Sequence, residues 1–349
     1  MARRTYGQPR IDVELANVCN LHCGYCLRDE NALHHDKPQF LSIDLLRRVL
    51  REAREANGIT NVAFTGGEPT LHPRFADVLA TVRAEGLTTS FVTNGWHFER
   101  LWPIIQSYRD TVTHVAFSLD GATRAAHDRW RGEGSFVRLV RAFSRCRRAE
   151  LPFVIKTVIR KDTLPQLEQI AILAARMGAT SLNFGHLLPT SPEFEELLGL
   201  TAEDRTIAEQ EVALLAQIFK MQIVLDVGYY NIDPAAPCSA LAIRSCNVDY
   251  LGRLSLCCNL SGYRGAVGEA DIVADLNQEP FAPAFARLKD LAATQLARRR
   301  KALAEFAETN VKPDLDIGSP CLFCLMSFAK APWHAPLKGP SRTLPVISS

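Results

Sequence analysis

From residue 11 to about residue 219 the chain alternates between short β-branched or aromatic runs and longer amphipathic stretches. RIDVELANV (10–18) reads as a strand, and SIDLLRRVLREAREANG (42–58) as a helix with Ser42 at its N-cap and Gly58 as its stop. The same pair of patterns then recurs. Strands are predicted at 60–66, 88–94, 112–120, 152–160 and 180–188, and helices at about 74–85, 98–108, 136–149, 164–178 and 202–219.

Six strand–helix units with short loops imply parallel strands joined by right-handed crossovers. Six units are too few for an eight-stranded barrel, so the expected fold is α/β, a partial, open (β/α)6 barrel. Chemistry in such sheets sits at the C-terminal ends of the strands. CNLHCGYC (19–26), TGGEPT (65–70), TNG (93–95), SLDG (118–121) and NFGHLLP (183–189) all fall there. After MQIVLDVGYY (221–230) the alternation stops. CSALAIRSCNVDYLGRLSLCC (238–258) reads as a hairpin turning at Leu251–Gly252, followed by a helical stretch (285–306), CLFC (321–324) and a Pro-rich tail. The expected division is a core barrel over 1–225 and a small α+β module over 226–349.

Composition narrows the function. At 47% hydrophobic and 22% charged the chain is an ordinary globular protein, and a net charge of +2 implies neither a nucleic-acid nor a membrane partner. The basic runs RCRRAE (145–150) and RRRK (298–301) read as solvated helix faces. MARRTYGQPR has no apolar segment behind its arginines, and no run of about 18 apolar residues occurs, so a cytoplasmic location is expected. Ten cysteines in a reducing compartment point to metal binding rather than disulfides.

Cys19, Cys23 and Cys26 put three thiols on one small loop, and thiolates select zinc or iron–sulfur clusters. For zinc the fourth ligand would be His22, His34 or His35, in a non-enzymatic zinc-binding protein. His22 lies inside the spacer, however, where it points away from the thiols or crowds them. On a cubic [4Fe–4S] cluster, three thiolates leave one iron open for a non-protein ligand.

CNLHCGYC resembles the C-x3-C-x2-aromatic-Cys signature of the radical S-adenosylmethionine (SAM) superfamily, with Tyr25 as the aromatic residue. The likeness runs in order over about residues 10–220, through GGEP (66–69), TNG, SLDG and HDRWRGEGSF (127–136). It implies that SAM chelates the open iron and that one electron cleaves it to a 5′-deoxyadenosyl radical, which abstracts a substrate hydrogen. It also implies site roles. Gly66, Gly67 and Glu68 would take the SAM ammonium, and Asn94 and Ser118 the ribose hydroxyls or carboxylate. Lys156 or Arg160 would neutralise that carboxylate, while Phe184 and Leu187 would flank the adenine.

Residues 238–324 resemble the SPASM extension or its shorter form, twitch. Cys238, Gly252 and Cys257 fit the family's opening phrase, and Cys321 with Cys324 complete four ligands for one auxiliary [4Fe–4S] cluster. No cysteine follows Cys324, so the twitch form with a single auxiliary cluster is implied. Cys246 is an alternative to Cys238, and Cys258 to Cys257. Neighbours on a strand face opposite ways, leaving Cys258 as a packed side chain or a hydrogen-atom donor to a substrate radical. Cys146 reads as structural. CLFC as a thioredoxin-like redox pair would need a strand and a helix around it that the pattern does not supply. The expected activity is oxidation or cross-linking of a side chain in a ribosomally made peptide, or else dehydrogenation or epimerisation of a sugar or cyclitol. With about ten residues ahead of the first strand, a peptide would be presented by a separate docking protein. The expected electron source is an external one-electron donor such as a flavodoxin or ferredoxin.

Overall fold

The computed structural model describes residues 9–28, 33–34, 37–263, 270–307 and 313–334. Seven parallel strands follow one another in chain order: β1 (Arg10–Ala16), β2 (Asn61–Gly66), β3 (Thr88–Thr93), β4 (Val112–Ser118), β5 (Phe153–Ile159), β6 (Ser181–His186) and β7 (Gln222–Val227). Helices α1 (Ile43–Asn57), α2 (Phe75–Ala84), α3 (Phe98–Ser107), α4 (Arg124–Arg131), α5 (Ser135–Arg148), α6 (Leu167–Met177), α7 (Pro192–Leu198) and α8 (Ala202–Ile218) form the crossovers. The partial barrel and its six strand–helix units are as expected. The seventh strand falls in MQIVLDVGYY, which pairs with β6 although no helix follows to reveal it as a barrel strand.

Period-two alternation sorts the side chains of each strand. On β5, Phe153, Ile155, Thr157 and Ile159 are buried against the helices, while Val154, Lys156 and Val158 are half-buried and face the lumen. The helical side is held by aromatics in edge-to-face and stacked contact. Phe117 lies 5.1 Å from Phe98 and 5.3 Å from Phe143 between ring centroids, and Phe143 stacks on Phe153 at 5.1 Å. Cys146 is buried in this layer, and burial pushes its thiol up to about 12, as a packing residue requires.

The sheet does not stop at the barrel. β8 (Ser245–Val248) pairs parallel with the free edge of β1, and β9 (Arg253–Ser255) and β10 (Ile272–Asp275) add antiparallel strands beyond it. The predicted hairpin is therefore present as β8–β9, docked onto the strand that begins the barrel. α9 (Phe281–Ala307), α10 (Leu315–Gly318) and α11 (Pro320–Ser327) follow. CLFC lies on α11, so a helix does surround this pair. The segment before it is α10 and not a strand. In the RRRK run Arg298, Arg300 and Lys301 are exposed as a solvated face requires, but Arg299 departs from that reading and is 1% exposed. Among the described residues no helix is long and apolar enough to cross a membrane.

Phe117→Ala is expected to cost about 3–5 kcal/mol by opening a cavity among these rings. Denaturant unfolding followed by far-ultraviolet circular dichroism checks the value, and a loss below about 1 kcal/mol would show that the layer repacks.

Candidate functional site

The loop after β1 opens a cavity at the C-terminal edge of the sheet, and Cys19, Cys23 and Cys26 all line it. Burial pushes the Cys19 thiol up to about 12 and raises that of Cys23. Thiols held this high ionise when a soft metal replaces the proton. Tetrahedral zinc would need ligand sulfurs roughly 3.8 Å apart. Among the described residues no three His, Cys, Asp or Glu side chains are grouped to hold a single metal ion. The three thiols line one cavity, and three thiolates suit a polynuclear cluster with one thiolate per iron. His22 and His34 stack on each other at 3.6 Å between ring centroids, and His35 lies outside the described residues.

The glycines of GGEP answer first to the chain's own backbone. The Gly67 N–H donates to the Ala16 carbonyl at 2.9 Å, and the Glu68 N–H to that of Val18 at 2.8 Å. A Cβ at 67 would stand 2.2 Å from the Val18 oxygen, and one at 66, where φ is +120°, 2.6 Å from the Ala16 oxygen. Only glycine allows this approach. Both residues and Glu68 line the cavity beside the thiols.

Glu68 is buried and well supplied with donors. Its Oε1 accepts from the Thr70 N–H at 3.2 Å, the Thr70 hydroxyl at 2.5 Å and the Thr93 hydroxyl at 2.8 Å, and Oε2 from the Asn94 N–H at 2.8 Å. Burial raises its pKa against these bonds. Asn94 in turn donates to Asn20 Oδ1 at 3.0 Å and points Nδ2 at Cys19 Sγ, 3.9 Å away. The turns after β2 and β3 and the cysteine loop are thus one hydrogen-bonded unit. Asn94 and Ser118 both line its cavity.

Behind the loop lies a charged cluster that motif spacing did not reveal. The buried Tyr25 hydroxyl donates to Asp120, which also takes the Arg131 guanidinium and lies 3.5 Å from Arg160 Nη1. Burial alone would raise the Asp120 carboxyl, but Arg131 and Arg160 hold it down at about 2. Arg160 stacks 4.5 Å above the Tyr25 ring and pairs with Asp162 at 2.9 Å, while Trp130 Nε1 donates to Asp162 at 2.6 Å. His127 accepts from the Asp120 N–H at 3.1 Å, and burial, then Arg131, lower it to about 4. Asp120, His127, Trp130 and Arg131 sit in the SLDG and HDRWRGEGSF phrases, the only signal that marks them. Arg160 is fully buried in this cluster, whereas Arg131 lines the cavity.

The remaining residues separate. Ser118, Lys156 and Asn183 are register partners across β4, β5 and β6. Lys156 pairs with Asp226 at 3.2 Å, and Asn183 donates to the same carboxylate at 3.3 Å. This row runs across the lumen from the thiol cavity toward β7. Phe184 has the opposite parity and is fully buried in the helical layer. Leu187 packs with Tyr25 and Leu198, with Cys23 against them.

A second set of thiols gathers around Cys238. It acts electrostatically on both Cys257 and Cys324, and Cys321 acts on Cys324. Burial raises Cys324, and a hydrogen bond with Cys258, then burial, raises Cys257. The Gly228 N–H donates to Cys321 Sγ at 3.3 Å. Cys246 stands apart, buried on β8 opposite Ile11, its thiol pushed up by burial. Cys258 acts on Arg10 and Arg28. Arg28 pairs with Glu14 at 3.0 Å and also feels Cys26, so it stands between the two thiol sets.

Asp120→Asn is expected to destabilise the protein by about 3–5 kcal/mol near neutrality, since it strips two buried guanidinium groups of a shared partner. The folded Asp120 pKa lies below its unfolded value of about 3.9, so its contribution is complete above that pH and disappears as the pH falls toward 2. Unfolding measured from neutrality to low pH should therefore find the gap between the two proteins closing in acid. A constant gap would contradict an ionised Asp120.

The radical SAM superfamily model matches residues 13–211, more than half of the chain. The chain is 30% identical over 234 residues to mycofactocin maturase MftC of Mycobacterium tuberculosis (strain ATCC 25618 / H37Rv), covering 66% of this chain and 57% of that protein. It is 29% identical over 164 residues to GTP 3′,8-cyclase of Actinobacillus succinogenes, covering 46% and 47%. It therefore spans about half the length of these curated relatives. Its fold resembles that of anSMEcpe with bound AdoMet (TM-score 0.66, 16% identity, 84% of this chain and 86% of that one). It also resembles Streptococcus suis SuiB bound to precursor peptide SuiA (TM-score 0.61, 13% identity, 91% and 70%). With three thiols and the GGEP turn around one cavity at the edge of a partial barrel, the chain belongs to the radical SAM superfamily.

Proposed function

We propose that Cys19, Cys23 and Cys26 hold a [4Fe–4S] cluster whose remaining iron takes SAM. We also propose that a twitch-type module over about residues 226–349 holds an auxiliary cluster through Cys238, Cys257, Cys321 and Cys324. The observation that carries the first assignment is the backbone stitch between the GGEP turn and the lead-in to the cysteine loop. It sets hydrogen-bonding groups for an amino acid against the thiols. When bound, the cluster and SAM supply a carbon radical that removes a hydrogen atom from the substrate.

The chain's own residues bind and aim. Oε2 of Glu68 accepts one hydrogen bond within the chain, which leaves a lone pair for the SAM ammonium beside the Gly66–Gly67 backbone. Asn94 and Ser118 line the cavity for the ribose or carboxylate, and Arg131 brings a cation to it. Lys156 is engaged with Asp226 in the lumen, which supports a role toward substrate rather than SAM. Tyr25, clamped by Asp120 and covered by Arg160, keeps the loop from shifting as the thiols bind iron.

The proposed reaction is oxidation or cross-linking of a ribosomal peptide side chain. Similarity to a mycofactocin maturase supports it, as does a fold shared with a protein solved on its precursor peptide. Such a peptide would come with a separate docking protein, and electrons from a flavodoxin or ferredoxin. A small-molecule substrate is the second reading, favoured by the likeness to GTP 3′,8-cyclase and by the polar Lys156–Asn183–Asp226 row in the lumen.

After anaerobic reconstitution the chain should carry about eight irons with matching sulfide. About four would remove the auxiliary cluster, and zinc without sulfide would sink the whole assignment. Cys23→Ala should abolish reductive cleavage of SAM; 5′-deoxyadenosine formed by this variant would refute the first site. Glu68→Gln should weaken SAM binding at unchanged iron content, because an amide N–H would oppose its donors. Lys156→Met should leave SAM binding intact. Equilibrium binding distinguishes the two variants. A candidate precursor peptide losing hydrogens in the mass spectrum would favour the peptide reading over the small molecule.

A further inference from the structure

Arg299 is a buried arginine with an unusual set of partners. It sits on α9, 1% exposed, and donates from Nε to the Ile317 carbonyl at 3.3 Å and from Nη2 to those of Gly318, at 3.1 Å, and Asn231. Every acceptor is a neutral backbone oxygen, and among the described residues no carboxylate pairs with it. Those carbonyls lie on the segments that deliver the second set of thiols: Asn231 between β7 and Cys238, Ile317 and Gly318 just ahead of Cys321. The ionisable groups that act most on the guanidinium are Cys238, Cys324, Tyr229 and Cys321. Gln295, one turn earlier on the same face, is fully buried with neither amide atom hydrogen-bonded. α9 thus turns a cation paired with no carboxylate among the described residues, and an unspent amide, toward the core of this module.

Charge is arranged differently at the first site. Arg131 and Arg160 there are matched by Asp120 and Asp162, and Glu68 acts on Cys19 without a cation of its own. Around the second set, Lys330 is matched by Asp271 at 2.7 Å, both buried, and Arg205, which feels Cys321, also feels Glu209, Glu195 and Asp316, whereas among the described residues Arg299 has no carboxylate partner. A buried charge is weakly screened, so it favours whichever redox state of a neighbouring group is more negative.

We infer that Arg299 raises the reduction potential of the auxiliary cluster held by Cys238, Cys257, Cys321 and Cys324. The inference rests on the auxiliary cluster proposed above. The couple concerned is the one-electron change of the cluster core from 2+ to 1+, with no bond or proton exchanged. Four thiolates already make the site anionic, and the added electron is stabilised by the fixed cation. Arg299 acts through the field it sets and does not touch substrate, so it is a positioning residue.

The test is a redox titration with dithionite and mediators, followed by electron paramagnetic resonance, on the reconstituted full chain. The same titration on a chain carrying Cys19→Ala, Cys23→Ala and Cys26→Ala isolates the auxiliary signal. Arg299→Gln in the triple background should disfavour reduction by roughly tenfold or more, about 59 mV for a one-electron couple. An unchanged potential with its irons retained would refute the role of the charge. If Arg299→Gln cannot hold its irons, Arg299→Lys decides. It keeps the cation and should keep the potential, whereas a roughly tenfold shift with irons retained would mean that hydrogen bonding, not charge, sets it. A triple background that binds no iron would instead defeat the auxiliary-cluster reading itself, visible in iron content before any titration.

Discussion

Two peptide N–H groups, those of Gly67 and Glu68, donate to the carbonyls that lead from β1 into the cysteine loop. A loop carrying three thiols has little to define it: few apolar side chains, no secondary structure, and mutual repulsion once the thiols ionise. Here it is held by a neighbouring backbone that approaches to distances any side chain would block. Glu68 extends the restraint by collecting donors from the turns after β2 and β3, and Asn94 returns it to Asn20 and the Cys19 sulfur. Three strand ends are thus locked to one another before any cofactor arrives. This is the preorganisation a site needs if it is to aim a highly reactive species.

A second restraint comes from below. Asp120 balances two buried guanidinium groups and takes the Tyr25 hydroxyl, so the aromatic residue of the cysteine motif is anchored at its polar end while its ring lies under Arg160. Such a cluster is weak evidence for stability, since burying the charges offsets most of their attraction. Its value here is geometric. It fixes the loop through Tyr25, which with Arg131 also lines the cavity, so the residue between Cys23 and Cys26 is held at its polar end and over its ring.

Much of this was legible in the residues. Regular alternation of strand and helix patterns located six of the seven barrel strands, and the polar words at their ends located the cavity. Side-chain roles were less readable, because parity along a strand decides them and motif spacing does not. Phe184 and Asn183 are neighbours in sequence, yet one belongs to the helical layer and the other to the lumen. Lys156 and Arg160 both looked like cations for a bound carboxylate. One is spoken for by Asp226 and the other by Asp120 and Asp162. Arg299 was hidden for a simpler reason. A run of basic residues on a helix looks solvated from composition alone, and only the segments packed across α9 turn one member of the run inward.

The continuity of the sheet from β8 through β1 makes one strand a common ruler for two thiol sets. β1 ends at the loop bearing Cys19, and its free edge carries β8, whose hairpin leads to Cys257. Strand-to-strand spacing in a sheet is nearly invariant. The connection from β7 to β8 is tied to the second set as well, since it carries Cys238, the Gly228 N–H that meets Cys321 and the Asn231 carbonyl that meets Arg299. Change there is therefore confined to the stretches between these three points if the spacing of the two thiol sets is to hold.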